Sequence, residues 1–543
     1  MRRFIVLALV FAFLTPMAIL ASAGEEDTAP AELAVMNWSL GTAGPKTMDP
    51  GLNGASDGGD IISNTFEGLF RERSGEVIPG IAESYDLSDD GLVYTFHLRE
   101  SKWSDGSPLT AHDFVYGWKR AIDPATASEY GWLWHYTNVV GSEEANAGEA
   151  DLEDVGIRAV DDYTFEVILK SPADYFASLS SFYHFMPVKQ SSVEHADGAE
   201  GAWAQKPDIF VSNGPFVLTS YTIGGGLTLE KNPYYWAADE VGIDVINVKF
   251  IDVASTAYTA YQAGELDFLS DVPPAEIPRL LAENPEFYAL PLLGTYYYNF
   301  NMDLDLFADS RVRRALAYSI DRKAITEVFG DGRVPAGGFI PPGMPDEQGR
   351  DFFETAGTYG ISLDDSSYDL AKDLLAEAGY PNGADFPEFV LMYNTSEGHQ
   401  LIAEMVQEMW KTNLGIECTL ENQEWAVFQD TRKEGDYEIA RGGWLTDFLD
   451  PMGLLAIFVD GNTYNDPNYN NPAYNSAMAT ASATSGADHF DALYEAQDLL
   501  MNDMPIIPVY HYTDTFLSSP QLQGVDRSML GSMDFSRAYM VRN

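Results

Sequence analysis

The sequence predicts an α/β protein with mixed sheets, mainly because of the spacing of its apolar residues. Apolar and polar residues alternate over 33–40 and 92–100, as they do in half-buried strands. Over 58–72 and 310–329 the apolar residues instead recur at helical spacing. Strands and helices follow one another along most of the 543 residues, a length that suits about three domains.

A capping residue and an apolar stripe define one helix in detail. Thr110 suits the N-cap position, because its hydroxyl can accept a hydrogen bond from the first helical turn. The residues that follow it place one apolar face on that helix, formed by Phe114, Val115, Trp118 and Ile122. We therefore predict a helix that starts at Thr110.

Glycines delimit several other elements. The three glycines at 224–226 predict a hairpin turn within the strand-forming segment 216–232. Gly264 predicts the end of a helix that begins at residue 254. The remaining predicted elements are strands at 163–169 and 246–253 and helices at 369–380 and 401–416.

The N-terminus predicts export. An apolar stretch at 4–20 follows two arginines and leads to the small residues Ala21-Ser22-Ala23, which form a cleavage site. A transmembrane anchor is the alternative, but Pro16 and the acidic sequence after Ala23 favour a cleaved signal peptide, residues 1–23.

Cysteine usage and charge limit the possible partners. Cys418 is the single cysteine, so no intramolecular disulfide can form. A lipid anchor would need a cysteine after the cleavage site, where Gly24 stands, so we expect a free periplasmic protein. The net charge of −52 repels nucleic acid and anionic lipid, and neither is an expected partner.

The sequence contains no convincing catalytic or metal motif. Residues 54–58 match G-x-S-x-G, but a turn-like run precedes them, whereas a nucleophile elbow needs a strand there. Histidines and cysteine lack ligand spacing, so we predict no catalytic residue, no metal and no cofactor.

Asp447 lies in the segment 441–451, RGGWLTDFLDP, and its role is ambiguous from the residues alone. It could be a catalytic carboxylate, a core charge paired with Arg441, a helix cap, or an anchor for a cationic ligand. Asp450 is the better candidate for a cap, because Pro451 suits the first position of a helix.

An ordered series of motifs resembles the family-5 bacterial solute-binding proteins, the peptide and nickel receptors of ABC importers. The signature region is IAESYDLSDDGLVYTFHLRESKWSDGSPLTAHDFVYGWKRAIDP at 81–124. Further motifs follow in the family's order: SNGPF (212–216), LEKNPYYW (229–236), YQAGELDF (261–268), TYYYNFN (295–301), VRRALAYSIDR (312–322), LMYNTSEGH (391–399), ARGGWLTDFLDP (440–451) and PIIPVYHY (505–512). Within the family, the match is best to members that bind oligopeptides.

The resemblance implies the type II, cluster C architecture of periplasmic binding proteins, with two lobes and an extra domain around a ligand cleft. Lobe I would combine 24–66, 191–298 and 514–543. Lobe II, the extra domain with the signature region, would be 67–190, and lobe III would be 299–513.

The resemblance also assigns site residues. Asp447 matches the carboxylate that pairs with the free amine of a bound peptide. The matching backbone contacts are Gly443, Trp444, Leu445, Ala55 and Ser56, and the matching pocket walls are Tyr130, Trp425 and Tyr512, with Tyr510 as the alternative to Tyr512. Arg432, Arg441 and His399 match cations that meet peptide carboxylates. Core packing and structural salt bridges are the competing roles for the aromatic residues and the cations.

We therefore expect a monomeric periplasmic protein that captures short peptides by hinge closure and delivers them to an inner-membrane ABC permease, without catalysis. Family members that bind nickel chelates, haem or oligosaccharides are the first alternative, and a chaperone-like role is the second. A nickel site would not need Asp447, so this residue favours peptides.

Overall fold

One eleven-stranded mixed sheet organises the structure, a computed structural model that describes residues 33–364 and 367–541. The predicted signal peptide and its cleavage site lie outside these residues. In the described chain no helix combines the length and the hydrophobicity that crossing a bilayer requires.

The strands and helices have the following bounds. The strands are β1 Val35–Ser39, β2 Phe70–Arg73, β3 Glu76–Pro79, β4 Ala82–Leu87, β5 Val93–Leu98, β6 Ser101–Lys102, β7 Pro108–Leu109, β8 Ile157–Asp161, β9 Thr164–Ile168, β10 Phe216–Thr222, β11 Gly226–Lys231, β12 Val245–Lys249, β13 Phe268–Leu269, β14 Phe287–Phe300, β15 Val334–Pro335, β16 Phe389–Asn394, β17 Cys418–Gln423, β18 Ile439–Leu445, β19 Ile506–Ser518, β20 Leu522–Gln523, β21 Asp526–Arg527, β22 Met533–Asp534 and β23 Tyr539–Met540. The α-helices are α1 Ser56–Thr65, α2 Ala111–Ile122, α3 Ser142–Asn146, α4 Phe176–Leu179, α5 Gln190–Val193, α6 Ala254–Gln262, α7 Ile277–Glu283, α8 Ser310–Tyr318, α9 Arg322–Phe329, α10 Phe352–Ala356, α11 Tyr368–Glu377, α12 Glu397–Leu414, α13 Trp425–Lys433, α14 Met452–Leu455, α15 Pro472–Ala483 and α16 Gly486–Asp503.

The large sheet confirms the predicted mixed topology. Its strand order is β10-β11-β12-β1-β13-β19-β14-β18-β16-β17, with β15 paired to β19. Strand β1 runs parallel to β12 and β13, and β16 runs parallel to β17 and β18, whereas β14 is antiparallel to both of its neighbours. The glycines at 224–226 close the β10–β11 hairpin as expected.

A separate four-stranded sheet, β4-β5-β9-β8, lies within the predicted lobe II. Helix α2 packs against it and begins as predicted: Thr110 and Asp113 form a reciprocal capping box. Trp118 of α2 is fully buried, and its indole N–H donates to the Phe185 carbonyl at 2.7 Å. The lobe boundaries themselves remain a prediction.

Two long neighbouring strands cross the predicted lobe boundaries. The boundary expected at 298–299 falls inside β14, and that expected at 513–514 falls inside β19. The pairing between these strands shifts register between Pro291 and Thr295. An irregular ladder bends and twists the strands that carry it.

Two predicted helices differ from their predicted extent, one because of a tertiary contact and one because of a local cap. The segment 58–72 is helical only to Thr65, because Asn213 exchanges hydrogen bonds of 2.8 and 3.1 Å with the backbone of Glu67. The segment 310–329 forms two helices, α8 and α9, since Asp321 caps the second by accepting from the Ala324 amide at 2.8 Å.

Candidate functional site

A cavity of about 360 Å³, here called the central cavity, collects eleven of the twelve predicted site residues. They are Ala55, Ser56, Tyr130, Trp425, Arg432, Arg441, Gly443, Trp444, Leu445, Asp447 and Tyr512. His399 lies instead in an adjoining side cavity of about 260 Å³, which shares Ser56, Trp425 and Arg441 with the central one. A central cavity of this volume suits a small organic ligand.

Strand β18 presents an open backbone edge to this cavity. On one side β18 pairs with β14 along its whole length, and on the other β16 reaches only Ile439 and Ala440. The Thr446 amide donates to the Leu293 carbonyl at 2.9 Å, on the β14 side. Backbone groups alternate in direction along an antiparallel ladder, so those of Gly443 and Leu445 point to the open edge.

Gly443 has no room for a side chain. A Cβ built there would lie 2.2 Å from the Tyr512 hydroxyl and 2.8 Å from Nη2 of Arg441. The absence of that carbon lets Tyr512 and Arg441 approach the strand, and it also leaves the backbone accessible to another chain.

Asp447 follows β18 and is 7% exposed. Tyr130 donates a hydrogen bond of 3.1 Å to its Oδ1, whereas Oδ2 has no hydrogen-bond partner among the described residues. Burial raises the pKa of Asp447 well above its usual value, and the Tyr130 hydrogen bond only partly opposes this. The core pairing with Arg441 considered from the sequence is wrong, because Arg441 takes other partners.

Asp450 has the structural role that its position before Pro451 predicts. Its Oδ1 accepts from the Met452 amide at 2.8 Å, at the start of α14. The same carboxylate lies 3.1 and 3.2 Å from Nε2 of His489. The two aspartates of RGGWLTDFLDP therefore differ: among the described residues, both oxygens of Asp450 have hydrogen-bond partners, whereas only one oxygen of Asp447 has one.

Aromatic rings line the cavity around Asp447. The rings of Trp444, Tyr130 and Tyr464 form one cluster, in which the Trp444 centroid lies 6.2 Å from that of Tyr130 and 4.7 Å from that of Tyr464. Its indole N–H donates to the Gly453 carbonyl at 2.9 Å, which fixes the ring. Tyr464 was not identified from the sequence, because it stands in an irregular segment without a periodic pattern; its hydroxyl donates to the Gly54 carbonyl at 3.1 Å.

The three predicted cations have different surroundings. Arg441 donates to the Tyr512 hydroxyl at 2.7 Å and to Asn394 Oδ1 at 3.5 Å, and neither partner is a carboxylate. Arg432 forms an ion pair of 2.7 Å with Asp466. Burial, with the nearby charges of Arg441 and Arg333, lowers the pKa of His399 well below its usual value, so this imidazole is neutral.

Ion pairs lie beside the central cavity, whose lining includes Lys433, and the sequence did not reveal them. Lys433 pairs with Glu129, and Lys46 lies 3.0 Å from Asp430 and 3.8 Å from Glu129. These four residues, here called the rim ion pairs, join segments from all three predicted lobes. Residues that form ion pairs over such distances along the chain leave no periodic pattern in the sequence.

The local geometry around Ser56 differs from that of a nucleophile elbow. Ser56 is the first residue of α1, after an extended Ala55, and the preceding strand, β1, ends at Ser39. Within 33–364 and 367–541, no group of three or more His, Cys, Asp or Glu side chains is placed to hold a metal ion.

Comparison with known proteins identifies a family. The model for bacterial extracellular solute-binding proteins, family 5 (middle region), matches residues 76–466. The oligopeptide-binding protein OppA of Bacillus subtilis (strain 168) is 36% identical over 509 residues, covering 91% of this chain and 91% of that protein.

Solved structures show the same fold in two states. Haemophilus influenzae OppA in complex with the peptide RPPGFSPFR superposes with a TM-score of 0.84 at 32% identity, covering 94% of this chain and 99% of that one. The unliganded open form of the murein tripeptide binding protein MppA superposes with a TM-score of 0.64 at 33% identity, covering 94% of this chain and 98% of that one. The present structure is thus nearer to the peptide complex, and the chain belongs to the bacterial extracellular solute-binding proteins of family 5.

Proposed function

We propose that this protein is an exported receptor that captures short peptides and delivers them to an ABC permease in the inner membrane, with no chemical step of its own. One observation carries the proposal: Asp447, a buried carboxylate with an unpaired oxygen, stands at the end of an open strand edge. Both features match an extended peptide with a free amine. Peptide binding by the relatives supports the same conclusion.

The amine of the peptide would complete the pairing of Asp447. An ammonium group that leaves water for a closed cavity costs several kcal/mol unless a carboxylate meets it. A cationic partner would in turn stabilise the charged form of Asp447, which burial disfavours. A ligand without a cationic amine would leave this carboxylate unpaired, which provides selectivity.

The main chain of the peptide would add as a strand beside β18. The backbone groups of Gly443 and Leu445 face the open edge and supply donors and acceptors that no side chain of the peptide has to match. Ala55 and Ser56 line the same cavity. Affinity that comes from backbone and termini would allow varied side chains.

Arg441 is the best carboxylate partner of the three predicted cations. Its guanidinium is held by Tyr512 and Asn394, and its charge is not matched by either partner. Arg432 already has Asp466, and His399 is neutral, so it would act as a hydrogen-bond donor rather than as a cation. A peptide carboxylate at Arg441 would form the charge-assisted pair that a buried arginine needs.

Capture would proceed by closure about β14 and β19. A peptide that contacts Asp447, Tyr130 and Ser56 touches all three predicted lobes only when the cleft is closed, so its binding energy favours that state. The permease would then recognise the closed form. Cleavage after Ala23 and release into the periplasm complete the proposed route.

A calorimetric titration with a pool of tri- to pentapeptides tests this function. We expect binding of free peptides, much weaker binding of the same pool after N-acetylation, and a similar loss in Asp447→Asn. Asp436→Asn is the matched control, because Asp436 is exposed and lies shortly before β18. Equal affinity for free and acetylated peptides would contradict the role of Asp447, and absence of any binding would contradict the function.

A further inference from the structure

His489 lies outside the central cavity but close to the segment that carries Asp447. It stands in the first turn of α16 and is 4% exposed. Its ring packs on that of Tyr175, 5.9 Å away and nearly parallel, and Tyr175 belongs to the predicted lobe II. The protonation state of this buried histidine depends on the groups that face its two ring nitrogens.

Both ring nitrogens of His489 face groups that only accept hydrogen bonds. Nδ1 lies 2.8 Å from the Ala481 carbonyl oxygen, and Nε2 lies 3.1 and 3.2 Å from the two oxygens of Asp450. A neutral imidazole has one N–H and would leave one of these contacts without a proton. The geometry therefore favours the imidazolium form, whose two N–H groups can donate to both acceptors.

The surrounding charges favour this form. Burial by itself lowers the pKa of His489, but the hydrogen bond and charge of Asp450, the Ala481 carbonyl and the charge of Asp174 outweigh burial and raise it. Asp450 faces the ring from the segment before α14, Asp174 and Tyr175 from the segment before α4, and α15 contributes the carbonyl. No cation is among these neighbours.

Asp450 transmits this interaction to the loop 446–451, which includes Asp447. Thr446 Oγ1 donates to the Phe448 carbonyl at 2.7 Å, and the Asp450 amide donates to the same carbonyl at 2.8 Å. Asp450 also caps α14 through the Met452 amide. Displacement of the Asp450 side chain would remove this cap and release the C-terminal end of the loop that places Asp447.

The same loop contacts the predicted lobe II. The Leu449 amide donates to Ser178 Oγ at 3.0 Å, and the Phe448 ring packs on Tyr175 at 5.3 Å. Tyr175 thus touches both the loop and His489. One cluster, formed by Tyr175, Phe448 and His489, therefore supports both the position of the loop 446–451 and its packing on the predicted lobe II.

We propose that protonated His489 is a positioning residue for peptide capture: through Asp450 it holds the loop 446–451 in place for Asp447 to meet the peptide amine, so that peptide affinity depends on pH. This inference rests on the proposed peptide function. It adds a residue that does not touch the peptide.

The direction of the pH effect follows from the raised pKa. The imidazolium of His489, and with it the pairing to Asp450, is fully present below the ordinary histidine pKa of about 6.5 and is lost as the pH rises through the higher pKa of the folded protein. Peptide affinity would therefore fall toward alkaline pH. The peptide amine, with an ordinary pKa of about 7.7–8.0, titrates as well, so only a comparison with a variant isolates His489.

The test measures tripeptide affinity from about pH 5.5 to 9 in the full mature protein and in His489→Gln, and takes the ratio at each pH. Titration of the amine cancels in this ratio. Near pH 6 we expect wild type to bind the tripeptide about tenfold more tightly than His489→Gln, which corresponds to a shift of about one pKa unit. Near pH 9 the ratio of the two affinities should approach one. His112→Gln, which removes an exposed histidine, should behave as wild type at every pH.

Two further measurements keep the inference testable if His489→Gln folds poorly. In ¹³C-histidine NMR of wild type, one imidazole should titrate above about pH 6.5, and in Asp450→Asn its midpoint should move to lower pH. A ratio independent of pH, or a His489 signal that is neutral at pH 6, would overturn the proposal. Tight peptide binding with a flat ratio would reject only this inference, whereas no peptide binding by wild type would reject the function.

Discussion

The hydroxyl of Tyr130 donates a 3.1 Å hydrogen bond to Asp447, joining two residues 317 positions apart in the sequence. Tyr130 belongs to the predicted lobe II and Asp447 to lobe III, so the bond forms across the cavity. It satisfies one carboxylate oxygen, whereas the other has no hydrogen-bond partner in the part of the chain that the structure describes. In the proposed function, recognition of the peptide amine and closure of the predicted lobes would share this contact.

Tyr130→Phe should weaken peptide binding without abolishing it. The substitution removes the donor to Asp447 but keeps the ring that packs near Trp444. A hydrogen bond to a charged group contributes about 1.5–3 kcal/mol, so we expect affinity to fall by about 10- to 150-fold in calorimetry. An unchanged affinity would show that peptide binding replaces this bond with another.

Asp447→Asn should remove most of the affinity for peptides with a free amine. Loss of one partner of a buried charge pair costs about 2–5 kcal/mol, which corresponds to a fall of about 30- to 4,000-fold. Binding of N-acetylated peptides should change far less, since they have no charge to lose. A comparable loss for both peptide classes would indicate a general structural defect.

The stability of the peptide-free protein should also depend on Asp447. Its folded pKa lies above the unfolded value of about 3.9, so its contribution to stability is present below that pH and is lost as the pH rises through the folded pKa. Because asparagine does not titrate, Asp447→Asn removes this loss of stability with rising pH. We expect the variant to gain stability over wild type as pH rises from about 4 to 8 in chemical unfolding, and a difference constant with pH would contradict this.

Gly443→Ala should prevent normal binding through a steric clash. The new methyl group would lie 2.2 Å from the Tyr512 hydroxyl, so Tyr512 or the strand must move. The double variant Gly443→Ala with Tyr512→Phe removes that oxygen and should recover part of the affinity. Gly398→Ala, whose nearest contact is 3.6 Å, is the control and should bind as wild type.

The rim ion pairs should affect the lifetime of the complex. Glu129→Gln removes the acid shared by Lys433 and Lys46. Partly exposed pairs contribute about 0.2–1 kcal/mol and are screened by salt, so we expect peptide release to quicken about 1.5- to 5-fold at low salt and less in high salt. Stopped-flow dissociation measures this, with Glu327→Gln as the control. A salt-independent change would argue against an electrostatic role.

Local chemistry in the sequence determined much of the fold. Apolar spacing predicted the alternation of strands and helices, the glycines at 224–226 predicted a hairpin, and Thr110 predicted the start of α2. The ordered motifs predicted the family and eleven residues that line one cavity. The alternation, the hairpin and the helix start depend on neighbours in the chain, which the sequence records directly, whereas the cavity residues come from distant segments and were predicted through the family resemblance.

Only the tertiary structure decided the partners of the charged groups. Asp447 has Arg441 nearby in sequence, yet it takes Tyr130, while Arg441 takes Tyr512 and Arg432 takes Asp466. The end of α1 and the raised pKa of His489 likewise depend on groups that other segments bring close. Burial and distance set the energy of a charge, and both arise from contacts between segments that spacing along the chain does not encode.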